Sequence, residues 1–65
     1  MAPSEEQLRN LAAALIEECG ATARMAAYVR AAQLREEGNA RDADIWSRVA
    51  EIILEIDAKP AVRLH

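Results

Sequence analysis

The spacing of the apolar residues is the feature that most constrains how this chain folds. In the first third they recur three or four positions apart, at Leu8, Leu11, Ala12, Leu15, Ile16 and Cys19. This is the repeat of one face of an α-helix, whereas a half-buried strand would alternate strictly between apolar and polar residues. The sequence shows no such alternation and therefore predicts an all-α fold.

Residues that start and stop helices divide the chain into three segments. We predict one domain, residues 1–65, with helices near 4–19, 22–37 and 40–58 and a tail at 59–65. Ser4 and Gln7 have the spacing of a capping box at the first helix. Pro60 is expected to end the third helix, because proline disfavours helical backbone at the residue before it.

The stretch REEGNARDADIW places four carboxylates around a Gly–Asn pair. Gly38 can supply the positive φ that ends one helix, and Asn39 can cap the next with Asp42 three residues later. Asp44 falls in the same first turn, where the helix dipole favours negative charge. We therefore interpret the stretch as a joint between helices. The order of a calcium loop is different, since its glycine follows the first aspartates.

The second predicted helix carries two apolar stripes on roughly opposite sides. Met25, Val29 and Ala32 form one stripe, with Tyr28 at its edge. The other consists of Ala23, Ala27, Ala31 and Leu34. Two apolar sides predict a central helix, packed against its own chain on one side and against a second subunit on the other.

The third predicted helix has the widest apolar face, formed by Ile45, Trp46, Val49, Ala50, Ile52, Ile53 and Ile56. Trp46 is the only tryptophan, and we expect it to fill the core, although aromatic anchors also favour association surfaces. A core of this size seldom supplies more than about 3–5 kcal/mol without a disulfide, a metal or a partner chain. Cys19 is the only cysteine, so no disulfide can form within the chain.

These limits predict a compact three-helix bundle that is completed by self-association, with a dimer favoured. The residues expected at the interface are Leu34, Ile45, Trp46, Ile52 and Leu54. The net charge of −3 argues against affinity for nucleic acid or anionic membranes. Because no apolar run is long enough for a membrane span and the first residues lack a signal-peptide pattern, we expect a cytoplasmic, bacterial-type protein.

Catalytic and metal-binding patterns were sought among the polar residues. Cys19 ends a helix after two glutamates, a setting that disfavours a reactive thiolate, so it is expected in the core. His65, the only histidine, ends the sequence. No Ser–His–Asp set, phosphate-binding glycine loop or metal-ligand cluster is visible. We therefore expect no cofactor, no metal and no enzymatic activity.

Three functions fit this description. The first is a small interaction or regulatory protein that presents an apolar helical surface to itself or to a partner protein. The second is an acidic inhibitor, such as a phage anti-defence protein, that occupies a basic nucleic-acid-binding groove of another protein. Its acidic surface would comprise Glu17, Glu18, Glu36, Glu37, Asp42 and Asp44. The third, a helix-turn-helix DNA binder, is disfavoured because carboxylates occupy the first turn of the third helix.

The second half of the chain also resembles a group of small, uncharacterised all-helical proteins of alphaproteobacteria. The similar features are the pair Tyr28–Val29, the turn Gly38–Asn39, and the series Trp46, Val49, Ala50 and Ile53. These are structural residues, and the resemblance implies an all-helical bacterial protein without implying an activity or a cofactor.

Overall fold

Helix is the only regular secondary structure in the part of the chain that the structure describes. A computed structural model describes the backbone of residues 3–63 and the side chains of residues 3–57. Three α-helices follow one another, α1 at Glu5–Cys19, α2 at Ala23–Glu36 and α3 at Ala40–Arg63. The predicted all-α fold is confirmed.

The connection between α1 and α2 differs from the prediction. A 3-10 turn at Gly20–Thr22 joins these helices without a loop, so the chain forms two uninterrupted helical runs rather than three separated helices. Gly20 has a φ of 60°, which ends α1, and the Thr22 hydroxyl donates to the Cys19 carbonyl at 3.0 Å. α1 thus ends at the predicted residue, and a 3-10 turn fills the short gap between the two predicted helices.

The capping box at the start of α1 is confirmed. The Gln7 backbone N–H donates to the Ser4 hydroxyl oxygen at 3.1 Å, and the Ser4 backbone N–H donates to Gln7 Oε1 at 2.9 Å. Each hydrogen bond satisfies a backbone donor that would otherwise lack a partner at this helix end.

The joint between α2 and α3 also follows the prediction. Gly38 has a φ of 84°, and the Asn39 backbone N–H donates to the Leu34 carbonyl at 2.8 Å. Asn39 Oδ1 accepts a long hydrogen bond of 3.5 Å from the Asp42 backbone N–H. The Asp42 carboxylate accepts from Asn39 Nδ2 at 2.9 Å, so the reciprocal bond goes to the side chain rather than to the backbone.

The end of α3 lies beyond the predicted stop. Its backbone stays helical through Pro60 to Arg63, whereas the sequence predicted an end near residue 58. Proline removes only one helical hydrogen bond, and its fixed φ of about −65° is close to the helical value, so the backbone can continue past it. The side chains from residue 58 onward, including those of the predicted tail at 59–65, lie outside the described part.

The core forms around α3, not α2. α3 has extensive contacts with both other helices, while α1 and α2 touch each other much less. Val49, Ile52 and Ile53 are the largest fully buried side chains. The prediction that the second helix is central is therefore wrong. α3 has the wider apolar face and can bury apolar side chains against two helices at once.

Alanines allow α2 to approach α3 closely. Ala23, Ala27 and Ala31 are at most 2% exposed, and they repeat every four residues along one side of α2. Side chains this small bring the helix backbone near the isoleucines of α3, so little space remains for additional atoms. The predicted alanine stripe is thus the inner side of α2.

An ion-pair network ties α1 to α3 at the surface. The Arg48 guanidinium contacts Glu5 at 2.7 Å, Glu51 at 3.1 Å and Glu55 at 3.7 Å, and Arg9 contacts Glu55 at 3.9 Å. Hydrogen bonds from Glu51 and Glu5 raise the pKa of the Arg48 guanidinium above its usual value. Arg48 therefore keeps its positive charge wherever its carboxylate partners are ionised.

Overpacking tests the inner side of α2. We expect Ala27→Leu to lower the free energy of unfolding by about 1–3 kcal/mol, because the buried site cannot take a larger side chain. The same substitution at the exposed Ala32 should change it by no more than about 0.5 kcal/mol. Urea denaturation followed by Trp46 fluorescence measures both. Equal losses at the two positions would contradict the packing.

Salt dependence tests the ion-pair network. Arg48→Met should destabilise the protein in dilute buffer, and the difference from wild type should shrink as sodium chloride is added, because salt screens exposed charges. Arg41→Met is the control, since Arg41 is another arginine of α3 but is exposed and has no ion pair among the described side chains. A salt-independent loss for Arg48→Met would argue against an electrostatic role.

Candidate functional site

The largest exposed apolar feature of the described chain lies on α2. Met25 is 66% exposed, and Tyr28 and Val29 are each 48% exposed. Ala32, one turn further along, is exposed as well. We call these four residues the α2 outer face. Met25, Tyr28 and Val29 are three of the four large hydrophobic side chains that are exposed in the described part, and Leu54 is the fourth.

Helical spacing explains why these side chains share one side. Residues 25, 28, 29 and 32 follow the i, i+3, i+4, i+7 repeat, which places them on one stripe of a helix. Ala23, Ala27 and Ala31 occupy the opposite side and are buried. Because α2 packs against the rest of the chain through its alanines, its larger apolar residues face outward.

A shallow depression lies at the N-terminal end of the α2 outer face. Its volume is about 410 Å³, and its lining is formed by Ala21, Thr22, Arg24, Met25 and Tyr28. The Thr22 hydroxyl is held by the Cys19 carbonyl, which fixes one wall. The depression is mostly apolar with one cationic edge, and it has room for a side chain of a docked partner.

All the charged side chains between Ala23 and Arg35 are positive, and two of them, Arg24 and Arg35, lie along one edge of this face. From Ala23 to Arg35 the only charged residues of α2 are Arg24, Arg30 and Arg35. The Arg30 guanidinium lies 5.9 Å from the centre of the Trp46 ring, which is cation–π distance. Arg35 contacts Asp44 at 3.4 Å, with both side chains largely in solvent. An otherwise acidic protein thus presents an apolar surface edged by arginines.

The residues predicted for an interface occupy three different environments. Ile52 is fully buried within the chain, so its assignment to an interface is wrong, because α3 turns it toward α1 and α2. Leu34, Ile45 and Trp46 are half-buried, and the last two pack against the core. Leu54 is 47% exposed. Of the five, Leu54 offers the most apolar surface to a partner.

The six carboxylates predicted to form an acidic surface are all exposed but fall into two groups. Glu17 and Glu18 end α1, whereas the other four surround the joint between α2 and α3. The groups lie at opposite ends of α2, whose fourteen residues span about 21 Å. Asp44 also pairs with Arg35, and Asp42 with Asn39. The six residues therefore do not make one continuous acidic patch.

Other kinds of site find little support in the described residues. Within this part of the chain no group of three or more His, Cys, Asp or Glu side chains is arranged to hold a metal ion. Cys19 is a half-buried free thiol that packs against the core, as expected. No helix in the described range is long and apolar enough to cross a membrane.

Comparison with known proteins adds nothing to this picture. No family model, curated protein or solved structure matches the chain. The case for a function therefore depends on the α2 outer face itself. The sequence signal for that face was the apolar stripe of Met25, Val29 and Ala32 with Tyr28 at its edge, although none of these was among the residues expected at the interface.

Proposed function

We propose that this protein is a small interaction or regulatory module that binds other protein surfaces through the α2 outer face. The observation that carries the proposal is the exposure of Met25, Tyr28 and Val29 side by side on one helix. Single exposed apolar residues are ordinary, but adjacent ones keep a continuous apolar surface in water, and such surfaces mark interaction sites.

The physical gain from covering this face comes from removing apolar area from water. Burial contributes about 25 cal/mol for each Å² of apolar surface. Tyr28 and Met25 are well suited to this role, because an aromatic ring supplies a large rigid contact and a thioether side chain adapts to irregular surfaces. The arginines at the edge would select partners that carry carboxylates beside apolar groups.

Self-association is part of this proposal. A chain of 65 residues with one cysteine has no disulfide to support its small core. Contact between copies through α2 would add the missing apolar burial, and a homo-oligomer in the cytoplasm fits the acidic composition and the absence of a membrane-spanning helix from the described part. The resemblance to small bacterial helical proteins is compatible with such a module.

An acidic inhibitor of a nucleic-acid-binding protein is the alternative function. It has less support, because the six carboxylates lie in two groups at opposite ends of α2 and two of them already have partners within the chain. The helix between the groups carries arginines, which a basic groove would repel. A continuous apolar face has no role in that function.

Substitution of the face tests the interaction role. We expect the double variant Met25→Gln/Tyr28→Gln to lose concentration-dependent association while keeping its helix content and, at concentrations where wild type is a monomer, its urea midpoint, because both side chains are exposed in the single chain. Association should weaken by about tenfold or more, the effect of removing two central apolar anchors. Sedimentation velocity over micromolar to millimolar concentrations measures it.

Leu54→Gln is the matched control for that experiment. Leu54 is exposed to nearly the same fraction as Tyr28, but it lies on α3. If Leu54→Gln weakens association while the double variant does not, the binding surface is on α3 and the proposal is wrong. If neither changes an observed association, the exposed apolar side chains are not its cause.

A further inference from the structure

We propose that the occupant of the α2 outer face is the outer side of α1 in a second copy of this chain, which joins copies head to tail. This rests on the function proposed above and specifies its partner. The outer side of α1 comprises Glu6, Asn10, Ala13, Ala14 and Glu17, and all five residues are exposed. We call them the α1 outer face.

Charge complementarity is the first reason. Arg24 and Arg35 lie along one edge of the α2 outer face, eleven positions apart. Glu6 and Glu17 on α1 are also eleven positions apart. Eleven residues are slightly more than three helical turns, so each pair lies on one stripe with a separation of about 16.5 Å. Two helices side by side can therefore form both ion pairs at once.

The state of these groups in the single chain supports the pairing. Among the described side chains, Glu6, Glu17 and Arg24 have no ion pair or side-chain hydrogen bond, although neighbouring Glu5 is held by Arg48. Arg35 has one exposed contact of 3.4 Å with Asp44. The charges needed between copies are thus available without breaking the network that fastens α1 to α3.

Side-chain size is the second reason. Between the two glutamates the α1 outer face has only Asn10 and two exposed alanines, so a partner helix can come close. Between the two arginines the α2 outer face projects Met25, Tyr28 and Val29. Large side chains set against small ones allow two helices to interlock. Two α2 outer faces would instead bring arginines from both copies into one contact.

The contact predicts a particular assembly. The two outer faces lie on different helices, and each is opposite the side that its helix buries in the core. They therefore point in different directions, and in the assembly that we infer each face is covered by a different neighbour. Each copy would bind one neighbour through α2 and another through α1, and such a heterologous contact repeats as a ring or an open chain.

Mixing two blocked variants tests this arrangement. The first, Met25→Gln/Tyr28→Gln, removes the α2 outer face, and the second, Glu6→Lys/Glu17→Lys, sets lysines against Arg24 and Arg35. We expect each to sediment as a monomer alone and the mixture to form a one-to-one dimer that grows no further. That dimer would join the intact α1 of the first variant to the intact α2 of the second.

A second double variant controls for net charge. Glu37→Lys/Asp57→Lys changes the charge by the same amount at exposed positions outside both faces. It should assemble as wild type does. Circular dichroism and urea midpoints of all variants establish that they are folded. The Glu6→Lys/Glu17→Lys loss should be reversed when Arg24→Glu and Arg35→Glu are added in the same chain, because all four charges are then exchanged.

The outcomes distinguish the head-to-tail contact from the general interaction role of the α2 outer face. If Glu6→Lys/Glu17→Lys assembles like wild type while Met25→Gln/Tyr28→Gln does not, α2 binds something other than α1, and only the head-to-tail contact is overturned. If wild type remains a monomer at every concentration, the contact and the self-association proposed above are both overturned, and the interaction role of the α2 outer face then depends on a partner of a different kind. If Met25→Gln/Tyr28→Gln assembles like wild type, the interaction role of the α2 outer face fails as well.

Discussion

The close contact between the alanine side of α2 and the isoleucine side of α3 is the constraint on which the rest of this structure depends. Alanine at positions 23, 27 and 31 lets the two backbones approach, and Ala23 and Ala27 share one buried cluster with Val49, Ile52 and Ile53. With such small residues on its inner side, α2 contributes little apolar bulk to the core. Its larger side chains are left in water as a direct result.

The rest of the chain reinforces that contact. α1 covers the remaining side of α3 through Leu8 and Ala12 and is held at the surface by Arg48 and its carboxylates. Because these ion pairs are exposed, they orient α1 more than they stabilise the fold. A small protein with this arrangement completes its internal packing while an apolar stripe remains uncovered, and this stripe is the physical basis of the interaction role that we propose.

Helix boundaries and faces followed closely from local chemistry. Helix ends are specified by local interactions: the capping box of Ser4 and Gln7, the positive φ of Gly38 and the hydrogen bond to Asn39. Because each involves only residues close in sequence, the sequence predicted them correctly. The connection at Gly20–Thr22 and the continuation past Pro60 were missed. At both places the residues disfavour a helix, but the backbone gains hydrogen bonds by staying helical. The sequence pattern does not show which of these two free energies is larger.

The sequence by itself determined that the chain is all-helical, where its main turns lie, and that its second helix has two apolar sides. Only the tertiary structure decided which side is inside. Periodicity fixes which residues share a stripe, but the choice between two stripes depends on packing against residues distant in sequence. Packing of this kind buries Ile52, which had been predicted at the interface. It also leaves Met25, Tyr28 and Val29 exposed, because the alanine side of α2 packs against α3.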